Sequence, residues 1–179
     1  MNKLLAIVGM AGSGKSVACE YLENIGYKKI YFGGVTIDEL KKSNLEITPD
    51  NEKMMRESLR KEFGMGAYAI KLLPVIEEFY NNTNVVLDGL YSWDEYLILK
   101  EKFPNLKLVA IITDKELRYE RLTKRVIRPL TKEEARNRDI SEIENIKKGG
   151  PIAFADFYLY NNGDLEDFKN NLENILRRI

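Results

Sequence analysis

Leu4-Leu5-Ala6-Ile7-Val8-Gly9-Met10-Ala11-Gly12-Ser13-Gly14-Lys15-Ser16 decides how this chain folds. Its first five residues are apolar and end at a glycine, the pattern of a short buried strand. Gly9 to Ser16 then matches G-x-x-x-x-G-K-[ST], a loop whose glycines let successive backbone N–H groups turn inward on phosphate oxygens. Val17, Ala18, Tyr21, Leu22 and Ile25 follow at helical spacing and stop at Gly26, so a helix is expected from Lys15 to Ile25. Its positive N-terminus favours anions. Strand, glycine loop and helix in that order form a P-loop. Gly9, Ala11, Gly12, Ser13, Gly14, Lys15, Ser16 and Val17 become the candidate nucleotide contacts. Lys15 would reach the β- and γ-phosphates as a catalytic cation, and the Ser16 hydroxyl would ligate Mg²⁺. The run Leu4 to Val8 also resembles the apolar core of a signal peptide, but it passes directly into a chemically meaningful loop and is read as a strand.

Outward from this motif, strand and helix signals alternate. Strands are expected at Lys29 to Phe32, closed by Gly33-Gly34, and at Val85 to Leu87, ending in Asp88-Gly89. Two more are expected at Leu106 to Thr113 and Phe157 to Tyr160. Helices are expected at Ile37 to Lys42, Thr48-Pro49 to Phe63, Ala67 to Tyr80 with a kink at Pro74, Trp93 to Lys102, Lys115 to Arg125 and Leu165 to Ile179. Such alternation predicts an α/β fold, a parallel sheet with helices on both faces, forming one domain over residues 1–179. Ligands of such sheets bind at the carboxyl ends of the strands.

Composition removes other chemistries. With no His and a single cysteine, Cys19, there is no catalytic triad, no disulfide and no zinc or iron–sulfur site. Lysines, arginines, carboxylates and a hard cation remain, the parts used in phosphoryl transfer. Lys+Arg and Asp+Glu both number 28, a balance that argues against a nucleic-acid partner. No apolar run approaches the roughly 20 residues that span a bilayer. The unpaired cysteine and the absence of a membrane segment suit the cytoplasm.

Asp88, at the end of its strand, is the natural second acid, placed to hold Mg²⁺ through water and to face the acceptor. Its competing role is to cap the following helix. Arg56 and Arg60 share one helix face, as do Arg118, Arg121 and Arg125. Guanidinium clusters suit a polyanion, although surface ion pairs with neighbouring glutamates account for the same pattern. Beside a P-loop, Arg121 and Arg125 become candidates for clamping the transferred phosphate, and Arg56 and Arg60 for binding the acceptor's phosphate. Thr131 to Lys148 is rich in charge and poor in apolar periodicity, which fits a mobile lid or a solvated surface helix.

Several of these residues together resemble the nucleoside monophosphate kinase-like group of P-loop proteins. Within that group the likeness is to the dephospho-CoA kinases and, most closely, a prokaryotic nucleotide kinase-like branch. The matching residues are Gly9 to Ser16, Leu59-Arg60 before Phe63-Gly64, Leu87-Asp88-Gly89 with Ser92 and Glu95, Arg118 and Arg121-Leu122, Arg138-Asp139 with Glu142, and Ala155-Asp156 leading to Asn161-Asn162-Gly163. The resemblance implies a three-layer α/β/α P-loop NTPase fold with a five-stranded parallel sheet. It implies an acceptor-binding helical segment over residues 34–80, a lid over 126–149, and Asn162 beside the adenine of ATP. It also implies transfer of the γ-phosphate to a small nucleotide-like acceptor. Two departures bear on the acceptor. Gly33-Gly34 stands where relatives have Gly-Asp, which leaves Asp38, one turn later, as the substitute base. Tyr91 stands where relatives often carry an Arg, and joins the candidate acceptor set. A phosphate acceptor needs no strong base, which leans toward a nucleoside monophosphate. Dephospho-CoA kinase itself remains an alternative, as does an ATP-binding regulator or slow NTPase with an altered acceptor site.

Overall fold

The computed structural model describes residues 2–179. Five strands, β1 (Leu4–Val8), β2 (Lys28–Tyr31), β3 (Val85–Asp88), β4 (Lys107–Ile112) and β5 (Phe157–Tyr160), form one sheet in the order β2-β3-β1-β4-β5. Every pairing is parallel, and the register sets Ile7 of β1 and Tyr31 of β2 on either side of Asp88 in β3.

Successive strand residues point to opposite faces, so the apolar strands build two cores. Leu4, Ala6, Val8, Val85, Leu87, Leu108 and Ala110 pack on one face against α4 (Ala67–Tyr80) and α5 (Trp93–Lys102). Leu5, Ile7, Val86, Val109 and Ile111 pack on the other against α1 (Lys15–Asn24) and α9 (Leu165–Leu176). The result is a three-layer α/β/α fold with an all-parallel sheet. Among the described residues no helix is long and apolar enough to cross a membrane.

Local chemistry explains several helix ends. In α3 (Pro49–Phe63) Thr48 caps the first turn, accepting from Asn51 N at 3.2 Å, with Pro49 at the position that needs no donor. The helix α1 ends in two reversed bonds, Tyr27 N to Leu22 O and Gly26 N to Glu23 O, a Schellman motif that leaves Ile25 outside the helix. The helix α4 continues through Pro74.

Two expectations need correction. Gly33-Gly34 does close β2, but α2 starts earlier than expected and spans Gly34–Lys42, because Val35 and Thr36 are buried and packing outweighs glycine's poor propensity. The helix α6 ends at Thr123, so Arg125 lies beyond it, and the chain turns back to bond Leu130 N to Leu122 O. The charge-rich stretch forms one helix, α7 (Lys132–Ile146), in keeping with the surface-helix reading, followed by a short α8 (Gly149–Ala153). The helix α7 starts at a full capping box of Thr131 and Glu134, a signal readable at Thr131-Lys132-Glu133-Glu134.

Candidate active site

The P-loop leaves β1 at Gly9 and enters α1 at Lys15. A Cβ on Gly12 would stand 2.7 Å from the Arg118 carbonyl. Gly14 has φ 104°, in the left-handed region, and a Cβ there would overlap the Asn161 side-chain nitrogen. That Asn161 nitrogen and the Thr113 hydroxyl both donate to the Ser13 carbonyl, at 2.8 and 3.0 Å. The ends of β4 and β5 thus brace the loop from outside. Lys15 Nζ donates to the Met10 carbonyl at 2.9 Å, which holds it across the loop. Burial lowers its amine to about 7, the Lys148 ammonium adds to the effect, and Glu142 and Asp88 oppose it. Two candidate contacts hold buried polar atoms with no partner, Ser13 Oγ and Arg121 Nη1. Such atoms are costly unless a ligand completes them.

Asp88 faces this loop because β1 and β3 are neighbours. Burial pushes its carboxyl above the usual range, against Lys15, Lys29 and the Cys19 thiol. It does not cap α5. Ser92 does, with Glu95 completing the capping box. Ser16, Asp88, Lys15, Ala11, Gly12, Tyr91 and Arg125 line one cavity of about 630 Å³, joined by Arg128, Arg138 and Lys148. Five cationic side chains there oppose the carboxylate of Asp88. Among the described residues no group of three metal-ligating acids or cysteines gathers. A Mg²⁺ at Ser16 and Asp88 would therefore take most of its ligands from phosphate and water, as that ion usually does.

A second cavity of about 560 Å³ lies between α2, α3 and α7. Arg56 and Arg60 reach it, with Tyr68, Glu52, Glu95 and Glu142. Glu95 Oε2 accepts from the amides of Tyr91 and Ser92 at 2.8 and 3.0 Å, yet burial raises its carboxyl to about 7. Glu52 holds Arg56 at 3.4 Å and Arg128 at 3.5 Å, which joins α3 to the loop before α7. Tyr31, Tyr91, Arg128 and Arg138 line both cavities, so the two chambers meet.

Other candidates lie apart from both chambers. Asp38 is exposed on α2 and lines neither. Arg118 turns inward: its guanidinium grips both oxygens of Asp139 on α7, at 3.1 and 2.6 Å, and donates to the Ala11 carbonyl at 2.9 Å. It therefore anchors α7 to the P-loop. Arg121 and Val17 lie outside the cavity linings, and Asn162, exposed, accepts from the Asp114 amide at 3.0 Å. Lys148 and Glu52 escape sequence reasoning, because nothing local distinguishes them from solvated charges. Arg138, Glu142 and Glu95 were visible only through the family resemblance.

An AAA domain model matches residues 5–146. A UPF0200 protein of Pyrococcus abyssi is 32% identical, covering 98% of this chain and 96% of its own. One of Methanocaldococcus jannaschii is 36% identical, covering 98% and 90%. Among solved structures, TT1252 of Thermus thermophilus superposes with a TM-score of 0.67 at 20% identity, over 99% of this chain and 98% of that one. Shikimate kinase of Bacteroides thetaiotaomicron superposes with 0.59 at 14% identity, over 98% and 97%. At such identities the structural likeness speaks for the fold alone, that of P-loop kinases. On the domain match and these relatives together, the chain belongs to the UPF0200 family of AAA-domain P-loop proteins.

Proposed function

We propose that this protein is a small cytoplasmic kinase that transfers the γ-phosphate of ATP to a nucleotide or nucleotide-like acceptor. The observation that carries the reading is the meeting of two cavities, one on the P-loop and one on α2 and α3, through shared walls at Tyr31, Tyr91, Arg128 and Arg138. A donor phosphate in the first chamber and an acceptor in the second would face each other there. Holding two reactants in line is most of what phosphoryl transfer asks of a protein.

The donor is gripped by the loop amides and by Lys15. Ser16 and Asp88 would hold a Mg²⁺, which would supply charge neutralisation to the phosphates. Arg125 supplies positive charge in the P-loop chamber and Arg138 at the junction, and Arg121 offers its unpartnered Nη1 to the nucleotide. Arg56 and Arg60 take the acceptor's anionic group. The segments 34–80 and 126–149 act as acceptor-binding unit and lid.

With Asp38 outside the chamber, the four shared wall residues are tyrosines and arginines, and Glu142 beside them is held by Lys148 and Arg138. This suits an acceptor already ionised at neutral pH, a nucleoside monophosphate before the sugar hydroxyl of dephospho-CoA. The test is coupled ADP release from Mg–ATP with nucleoside monophosphates, with dephospho-CoA and with no acceptor. Stimulation by one acceptor, abolished in Lys15→Ala, supports the kinase and names its substrate. Slow release indifferent to every acceptor overturns it in favour of a nucleotide-binding regulator or slow NTPase.

A further inference from the structure

Lys148 is a lysine with almost no contact with solvent (2% exposed), at the turn between α7 and α8. Its ammonium lines the P-loop chamber together with Lys15, Ser16 and Asp88. It lies 4.8 Å over the ring of Tyr91, and its ion-pair partner is Glu142 Oε2, at 2.5 Å. Glu142 belongs to the other chamber, and its second oxygen accepts from Arg138 Nε at 3.0 Å. Arg138 lines both chambers. A carboxylate on the acceptor side therefore holds one cation on the donor side and one at the junction.

Two buried ammonium groups facing one chamber repel each other, and Glu142 only partly offsets Lys148. A terminal phosphate would give them a common counterion. We propose that Lys148 is a second phosphate-binding lysine, specific for the terminal phosphate of a triphosphate, and that Glu142 is its holder in the free protein. When the phosphate takes Lys148, Glu142 is left paired with Arg138 alone, so filling the donor chamber changes the charge that faces the other. The inference rests on the reading of the P-loop chamber as a nucleotide triphosphate site.

The experiment is calorimetric binding of Mg–ADP and of a non-hydrolysable Mg–ATP analogue to the full chain, its Lys148→Met, Lys148→Arg and Glu142→Gln variants, and Lys15→Met. Loss of one charge-assisted contact corresponds to about tenfold to a hundredfold. Lys148→Met is expected to weaken the triphosphate by that factor while ADP changes by less than about twofold. Lys148→Arg is expected to retain most of the affinity and guards against misfolding in the Met variant. Glu142→Gln is expected to tighten the triphosphate several-fold, since it removes the competing carboxylate. A purely structural ion pair gives the opposite pattern: both variants lose stability and neither changes the ratio of triphosphate to diphosphate affinity. That pattern, or equal loss of both nucleotides in Lys148→Met, overturns the inference while wild-type binding, lost in Lys15→Met, keeps the donor site. Wild-type protein that binds neither nucleotide overturns the donor site and the inference together.

Discussion

Affinity for Mg–ATP should fall as pH rises through 7, and Lys15 is the reason. Its amine is held down to about 7 from 10.5 in the free protein, chiefly by burial. Phosphate oxygens favour the ammonium, so the bound state holds its proton to higher pH. Below pH 7 Lys15 is charged before binding and affinity is flat. Near pH 8 only about one Lys15 in eleven is protonated, so affinity is about tenfold weaker, about 1.4 kcal/mol, and binding takes up about 0.9 proton. Lys148, lowered by the same burial, acts in the same direction, so Lys148→Met tests its share. Calorimetry in two buffers of different protonation enthalpy, from about pH 6 to about pH 9, reads affinity and proton uptake together. Lys15→Met should remove most of the uptake. Wild-type affinity that is level across this range, with no uptake, would refute the burial argument. Stability runs the opposite way. Because the folded value is depressed, Lys15 lets the fold gain stability as pH rises from about 7 to 10.5, and its full penalty stands below 7.

Asp139→Ala strands the buried Arg118 guanidinium, and urea unfolding should show a loss of about 3–5 kcal/mol, the range for breaking one side of a buried pair. Gly14→Ala places a Cβ at a left-handed φ and against Asn161; nucleotide binding should vanish, and Asn161→Ala in the same chain should relieve the overlap without restoring binding. Arg60 lines the acceptor chamber and makes no ion pair among the described residues; Arg60→Ala should raise the acceptor KM about tenfold to a hundredfold with the KM for ATP unchanged.

Near neighbours in sequence determined much of this protein. The P-loop was readable because its strand, its glycines and the start of its helix are contiguous, and their chemistry depends on residues within about one turn. The same holds for Thr48-Pro49 and for the capping boxes at Ser92 and Thr131, the latter overlooked for want of apolar periodicity around it. The start of α2 at Gly34, a turn before the expected Ile37, was not readable because the burial of Val35 and Thr36 is a tertiary fact, not a local one. Only the tertiary structure decided the site. The strand order sets β3 beside β1 and so brings Asp88 to Ser16. The periodicity that put Arg118 with Arg121 could not tell that Arg118 turns inward to Asp139, nor that Asp38 would be exposed and line neither chamber. A chain with as many acids as bases folds into a chamber walled by five cations, three of them held by Glu52 and Glu142. Lys148 acts on Lys15 across this chamber because burial and charge act through space, between segments that sequence keeps far apart.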